Sequence, residues 1–233
     1  MRATQTGTLD EYCRWLFADR NLEIEGEQLI NAVTTNKTDF FREAHHFDYL
    51  VKEILPEFAR AGTRRIRAWS AGCSTGAEPY TIAMLLDANA RDAGGPDYGI
   101  LATDLDTDVL DVAHRGIFPA DAVIPVPPAL RSRYVLRSRR SGQAEVRIAP
   151  ALRAAVGFAR LNLMDEPYPV GEMDLIFCRN VLIYFERETQ EKVVARLTRR
   201  LAPGGYLFLG HSETIGGFDV PLVPVANTVF RRR

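Results

Sequence analysis

One stretch restricts the possible folds more than any other. Ile66-Arg67-Ala68-Trp69-Ser70-Ala71 supplies the apolar residues of a buried strand, and Gly72-Cys73-Ser74-Thr75-Gly76 follows as a turn. Beyond Pro79, Tyr80, Ala83 and Met84 recur at the spacing of a helix. Gly72 and Gly76 let the backbone turn tightly and approach a ligand with no Cβ in the way. A turn at the carboxyl end of a first strand is where doubly wound α/β folds hold a nucleotide-like ligand. It is not a phosphate loop, because no Lys-Ser/Thr pair follows the second glycine and the spacing is not G-x-G-x-x-G. Glu78 would repel a phosphate and suits an amine or another positive centre.

A second strand, Tyr98 to Thr103, ends in Asp104. A carboxylate at the end of the strand after a glycine turn is suited to a ribose, because it accepts hydrogen bonds from both hydroxyls. Asp104, Asp106 and Asp108 alternate as in a calcium loop, but the glycine and terminal glutamate of such a loop are missing. Asp106 or Thr107 is better read as the cap of a helix carrying Val109, Leu110 and Ala113. Asp174 to Cys178 is near-continuously apolar, as in a buried parallel strand, and Arg179-Asn180 breaks the run where an open sheet places its chemistry. A helix over 186–201 stops at Pro203-Gly204-Gly205, a strand begins at Tyr206, and Val223 to Phe230 forms a final edge pair. His211-Ser212-Glu213 hints at a hydrolase, but no G-x-S-x-G elbow is present.

Between these elements, residues 116–150 break the rhythm with prolines at 119, 125, 127 and 128. Short strands are expected over 134–136, 145–148 and 154–158, with Ser141-Gly142 turning between the first two and the last rejoining the main sheet. Arg131, Arg133, Arg137, Arg139, Arg140, Arg147 and Arg153 make this insertion a basic arm suited to an acidic protein surface. The chain as a whole is close to neutral, with a formal charge of −1, so nothing global favours nucleic acid or a bilayer. No apolar run approaches the roughly 20 residues that span a membrane. The first residues lack the apolar core of a signal peptide. Three scattered cysteines, Cys13, Cys73 and Cys178, argue against a disulfide framework or a zinc site. The expected setting is the cytoplasm, with no metal.

The amino-terminal part reads as helical over 9–17 and 25–33. In Thr34 to Glu43, Thr and Asn suit a helix cap ahead of buried Phe40 and Phe41. Alternatively, Thr38 and Arg42, four apart on one helical face, point into a ligand site; spacing leaves both readings open. His45 and His46 are adjacent and cannot share one face of a helix as a metal pair does. Phe47, Leu50, Val51, Ile54, Leu55 and Phe58 form an apolar stripe stopped near Pro56. The alternation of strands and helices, a turn that is not built for phosphate and an acid for ribose suggest S-adenosylmethionine as the ligand.

Five motifs, in order, resemble those of the CheR family of chemotaxis receptor methyltransferases. They are Asn36-Lys37-Thr38-Asp39-Phe40-Phe41-Arg42-Glu43, the stretch Trp69 to Tyr80, Ala102-Thr103-Asp104-Leu105-Asp106, Phe177 to Phe185, and Gly210-His211-Ser212-Glu213. The resemblance implies a class I S-adenosylmethionine-dependent methyltransferase, an α/β Rossmann-like fold with a mostly parallel seven-stranded sheet. It implies an amino-terminal helical segment over 1–58, shorter than the family usually carries, and a methyltransferase domain over 59–233 with a small antiparallel β-subdomain at about 128–155. The implied reaction is transfer of a methyl group from S-adenosylmethionine to receptor glutamate carboxylates. Carried over by motif, Asn36, Thr38, Arg42, Gly72, Glu78, Asp104, Asn162, Leu163, Asn180 and Val181 would bind the cofactor. Arg42 and Tyr184 would face the reacting carboxylate. The implied partners are the cytoplasmic domains of chemotaxis receptors, and in some members a receptor carboxyl-terminal peptide that docks on the β-subdomain; the enzyme is expected to be a monomer. Ala77 departs from the pattern, where many members have a second acid. The competing readings are a methyltransferase of another substrate class and a non-catalytic module that binds cofactor or receptor.

Overall fold

The computed structural model describes residues 7–18, 21–137 and 144–233. Two helices come first, α1 (Leu9–Leu16) and α2 (Asn21–Val33). Thr8 caps α1 reciprocally with Glu11. The apolar stripe that follows is one continuous helical stretch that ends soon after Pro56, at Arg60. It consists of α3 (Ala44–Tyr49), a π-helical turn (Leu50–Ile54) and α4 (Leu55–Arg60). Pro56 follows directly on the π-helical turn, so the widened turn stands where the missing N–H interrupts the ladder, and the chain continues helical to Arg60.

The central sheet begins with β1 (Arg65–Ala71), α5 (Ala77–Asp92), β2 (Asp97–Asp104) and α6 (Thr107–Arg115). A small sheet interrupts it, made of β3 (Ile117–Pro119), β4 (Val135–Arg137) and β5 (Glu145–Ile148), with α7 (Pro128–Tyr134) before β4 and α8 (Pro150–Ala155) after β5. The chain then returns as β6 (Val156–Arg160), β7 (Met173–Cys178), α9 (Arg187–Arg200), β8 (Leu201–Leu209), β9 (Leu222–Ala226) and β10 (Val229–Arg232). The main sheet has the order β6-β2-β1-β7-β8-β10-β9. Its first five strands are parallel, and β10 and β9 close it antiparallel. From β1 the chain winds outward to β2 and β6, then crosses back to β7 and β8. The switch point therefore lies between the carboxyl ends of β1 and β7, where such sheets bind ligands.

The sheet is covered on both faces, and its strands divide their side chains by alternation. Ile66, Ala68, Leu175, Phe177, Tyr206 and Phe208 pack on one side with Phe40, Phe47, Ile54, Tyr80 and Met84. Trp69, Ala71, Ile176, Cys178, Leu207 and Leu209 pack on the other with Val193, Val194 and Leu197.

Three local readings need correction. The small sheet pairs β4 and β5 as expected, but its third strand is β3, ahead of the expected start at 128. The expected turn at Ser141-Gly142, with Arg139 and Arg140, lies outside the described residues. Pro128 breaks the α/β rhythm because it opens α7, and Pro150 likewise opens α8, where a fixed φ favours the first helical turn. α8 thus occupies the first part of the strand expected over 154–158, which runs instead from Val156. β8 starts at Leu201, not Tyr206. The sheet absorbs Pro203-Gly204-Gly205 as an irregularity between the pairs Met173–Leu201 and Leu175–Tyr206.

Candidate active site

The turn after β1 is fixed from beneath by β2. The Gly72 and Cys73 N–H groups both donate to the Thr103 carbonyl, at 2.8 and 2.9 Å. Gly72 has φ of 80°, and a Cβ there would stand 2.5 Å from Val181 Cγ2. Glycine is thus needed for both conformation and close approach. Ser74 donates its N–H to Asp104 Oδ2 (2.8 Å), and Asp106 donates its N–H to Asp104 Oδ1 (3.1 Å). A carboxylate has about four lone-pair positions. Asp104 therefore keeps acceptor capacity for two hydroxyls after binding these amides. Burial raises its pKa, against the lowering effect of the backbone amides.

Asp106 caps α6, accepting from the Asp108 and Val109 amides. It also accepts from Thr34 Oγ1 (2.8 Å) and Asn36 Nδ2 (2.6 Å), which ties the segment after α2 to the sheet. Burial would raise its pKa, but these hydrogen bonds hold it below the usual carboxylate value.

The stretch from Thr38 to Glu43 is not a capped helix. Phe41 and Glu43 both have φ of 55°, in the left-handed region, so the chain turns through Arg42 and helix resumes only at Ala44. Phe40 goes into the core, edge-on to Phe118 at 5.0 Å between ring centroids. Thr38 and Arg42 still reach one cavity, through this turn and not through a shared helical face.

That cavity, of about 480 Å³, lies at the switch point. The structure brings Asn36, Thr38, Arg42, Gly72, Glu78, Asp104, Asn162, Leu163, Asn180, Val181 and Tyr184 all to its walls. Arg42 donates to the Lys37 carbonyl at 3.0 Å. Asn162 is held in place by the Met164 amide and by its own bond to Asp165. Tyr184 is 57% exposed and stands at the rim.

The sequence reading missed three charged side chains that hold these groups. Arg179 was legible only as a polar break after β7. In the structure it is buried, donating to Glu78 Oε2 (3.0 Å), Glu43 Oε2 (3.2 Å) and the Arg42 carbonyl, with its guanidinium 5.2 Å from the Phe47 ring centre. Ser70 supplies the second partner of Glu78, at 2.7 Å. Glu43 is the second missed residue. Glu213 is the third; it accepts from the main-chain N–H groups of Asn180, Leu182, Ile183 and Gly210. A buried arginine requires carboxylate partners, which was the available signal for Arg179. His46 is buried and bonds Thr228 Oγ1 at 2.8 Å. Burial, helped by the positive charge of Arg179, brings its pKa down to about 4, so it is neutral at pH 7.

The fold and the cavity together define a Rossmann-like α/β domain that receives a nucleoside-bearing ligand at its switch point, the class of the S-adenosylmethionine-dependent methyltransferases. The family described as "CheR methyltransferase, SAM binding domain" matches residues 36–228. The chain belongs to the CheR methyltransferase family, and its cofactor is S-adenosylmethionine. It is 40% identical to chemotaxis protein methyltransferase 2 of Pseudomonas aeruginosa, over 99% of this chain and 80% of that one. It is 41% identical to the chemotaxis protein methyltransferase of Salmonella typhimurium, over 91% of this chain and 72% of that one. To the Escherichia coli chemotaxis protein methyltransferase it is 40% identical, over 88% and 70%.

Proposed function

We propose that this methyltransferase esterifies glutamate side chains on the cytoplasmic domains of chemotaxis receptors. The observation that carries this reading is the placing of Arg42 and Tyr184, a guanidinium and a phenol, on the same cavity as Gly72 and Asp104. When bound, S-adenosylmethionine supplies an electrophilic methyl group on a sulfonium. Asp104 has lone pairs to hold the ribose hydroxyls, and Asn162 and Leu163 would flank the adenine. Glu78, already paired with Arg179 and Ser70, retains acceptor capacity for the ammonium of the methionine tail. Gly72, Asn180 and Val181 would line the space beside the sulfonium, with Asn36 and Thr38 closing the other side.

A glutamate carboxylate has an ordinary pKa near 4.3 and is ionised at neutral pH. No residue of the chain has to remove a proton. Arg42 can hold the carboxylate through two N–H groups, and the Tyr184 hydroxyl adds a third donor. Because the carboxylate loses its charge as it reacts, binding it too tightly would stabilise the ground state. The contribution of these residues is therefore orientation and exclusion of water. The chain would consist of a helical segment over 1–58 and a methyltransferase domain over 59–233, and the β-subdomain, which begins with β3 at Ile117, would dock a receptor peptide. The protein would act as a cytoplasmic monomer. Among the described residues no helix is long and apolar enough to cross a membrane.

Incubation with labelled cofactor and receptor-containing membranes tests the reaction. The expected result is label on the receptor that is released by alkali, as a carboxyl methyl ester is. Label stable to alkali, or label on RNA or a small molecule, would overturn it. Replacing Asp104 by alanine should weaken cofactor binding by about 10²-fold, since hydrogen bonds to charged groups are worth roughly 1.5–3 kcal/mol each. Unchanged affinity by calorimetry would remove Asp104 from the ribose site.

A further inference from the structure

Arg42 is flanked by two residues, Phe41 and Glu43, whose backbone lies in the left-handed region. Neither is glycine, and such conformations persist only where the surroundings impose them. The Phe41 N–H donates to Thr81 Oγ1 (3.2 Å), and on the other side of Arg42 the side chain of Glu43 supplies the constraint. Its Oε1 accepts from Asn180 Nδ2 (3.1 Å) and from the His211 main-chain N–H (3.2 Å). Its Oε2 accepts from Arg179 (3.2 Å), and the same guanidinium donates to the Arg42 carbonyl. The main chain on the carboxyl side of Arg42 is thus held to the ends of β7 and β8. Burial alone would raise the pKa of Glu43, but the His211 amide, Asn180 and Arg179 bring it below the usual value. Glu43 is absent from the residues lining the cavity, while Arg42 is among them.

We propose that Glu43 is a positioning residue for methyl transfer, acting through Arg42 by fixing the left-handed turn from which the guanidinium enters the cavity. The proposal rests on the reading of Arg42 as the group that orients the substrate carboxylate. It assigns to Glu43 no contact with substrate or cofactor.

The test compares Glu43→Ala, Glu43→Gln, Arg42→Ala and the double variant Arg42→Ala/Glu43→Ala, with receptor-containing membranes and labelled cofactor. Misplacing a group by about 1 Å can cost roughly 10²-fold in rate. Glu43→Ala should lower kcat by about that factor, while the cofactor Kd changes less than about threefold. Glu43→Gln keeps the shape and part of the acceptor set, and should fall between Glu43→Ala and wild type. The double variant should be no slower than Arg42→Ala alone, because the two act as a unit. Losses that multiply in the double variant would overturn the proposal, as would parallel loss of kcat, cofactor affinity and melting temperature in Glu43→Ala. If Glu43→Ala does not fold, the same comparison is made with Glu43→Gln, and wild-type kcat there overturns the proposal. Full activity in Arg42→Ala would overturn the assignment of Arg42 itself. A slow Arg42→Ala beside a fast Glu43→Ala would overturn the positioning role alone.

Discussion

Arg42→Ala should lower kcat for receptor methylation by about 10²–10³-fold, the scale seen when one aligned donor is removed from a reacting oxygen. Arg42 comes from a turn whose main chain is clamped on its carboxyl side, and its guanidinium bonds the Lys37 carbonyl. In the proposed role, its loss would remove two aligned donors and leave the carboxylate to orient against Tyr184 alone. The rest of the cavity, including Asp104, Glu78 and Gly72, does not depend on that side chain, so cofactor affinity should fall far less than kcat. Arg42→Lys separates charge from geometry. An ammonium keeps the positive charge but cannot hold a carboxylate by a planar fork, so recovery should be partial. Single-turnover label transfer, set beside calorimetric cofactor binding, reads both quantities. Equal losses in the two would make Arg42 a cofactor ligand and not an orienting group.

What the sequence made legible follows from where the relevant forces are local. β1 and its turn could be read because the apolar run and the glycines lie within a few residues of one another. Asp104 could be read because a strand end needs only the strand to be recognised. The sequence offers Asp106 or Thr107 as the cap of α6; the structure takes Asp106, and capping is one of its two roles. The path of residues 38–43 could not be read. Left-handed backbone at Phe41 and Glu43 contradicts their local preferences; Phe41 is held by Thr81, 40 residues away, and Glu43 by Arg179, Asn180 and the His211 amide, more than 130 residues away. Arg179 itself is paired with Glu78 and Glu43 across 101 and 136 residues, so its burial left no periodic signal. Pro128 marks a break in the strand–helix rhythm, but a proline also suits the first turn of a helix, so it opens α7.

Glu213 carries the largest stability effect that the site implies. It is 6% exposed, and its two oxygens accept from Asn180 (3.1 Å), Leu182 (2.7 Å), Ile183 (3.3 Å) and the Gly210 amide. These amides belong to the turn that presents Asn180, Val181 and Tyr184 to the cavity and to the end of β8. Asn180 has φ of 59°, so this turn too is held against local preference. In Glu213→Ala up to four N–H groups lose their acceptor, and a buried donor left unpaired costs about 1–3 kcal/mol. Water entering the vacated space offsets part of that, which leaves a loss of roughly 3–5 kcal/mol. At about 2–4 °C per kcal/mol for a chain of this length, the melting temperature should drop by roughly 10 °C. Glu213→Gln keeps one acceptor oxygen but turns an amide NH₂ toward backbone donors, so it should lie between alanine and wild type. Methylation should fall with stability in both variants, because the same bonds that hold the fold aim Asn180 and Tyr184. A Glu213→Ala protein that melts within about 2 °C of wild type would show that other contacts hold this turn.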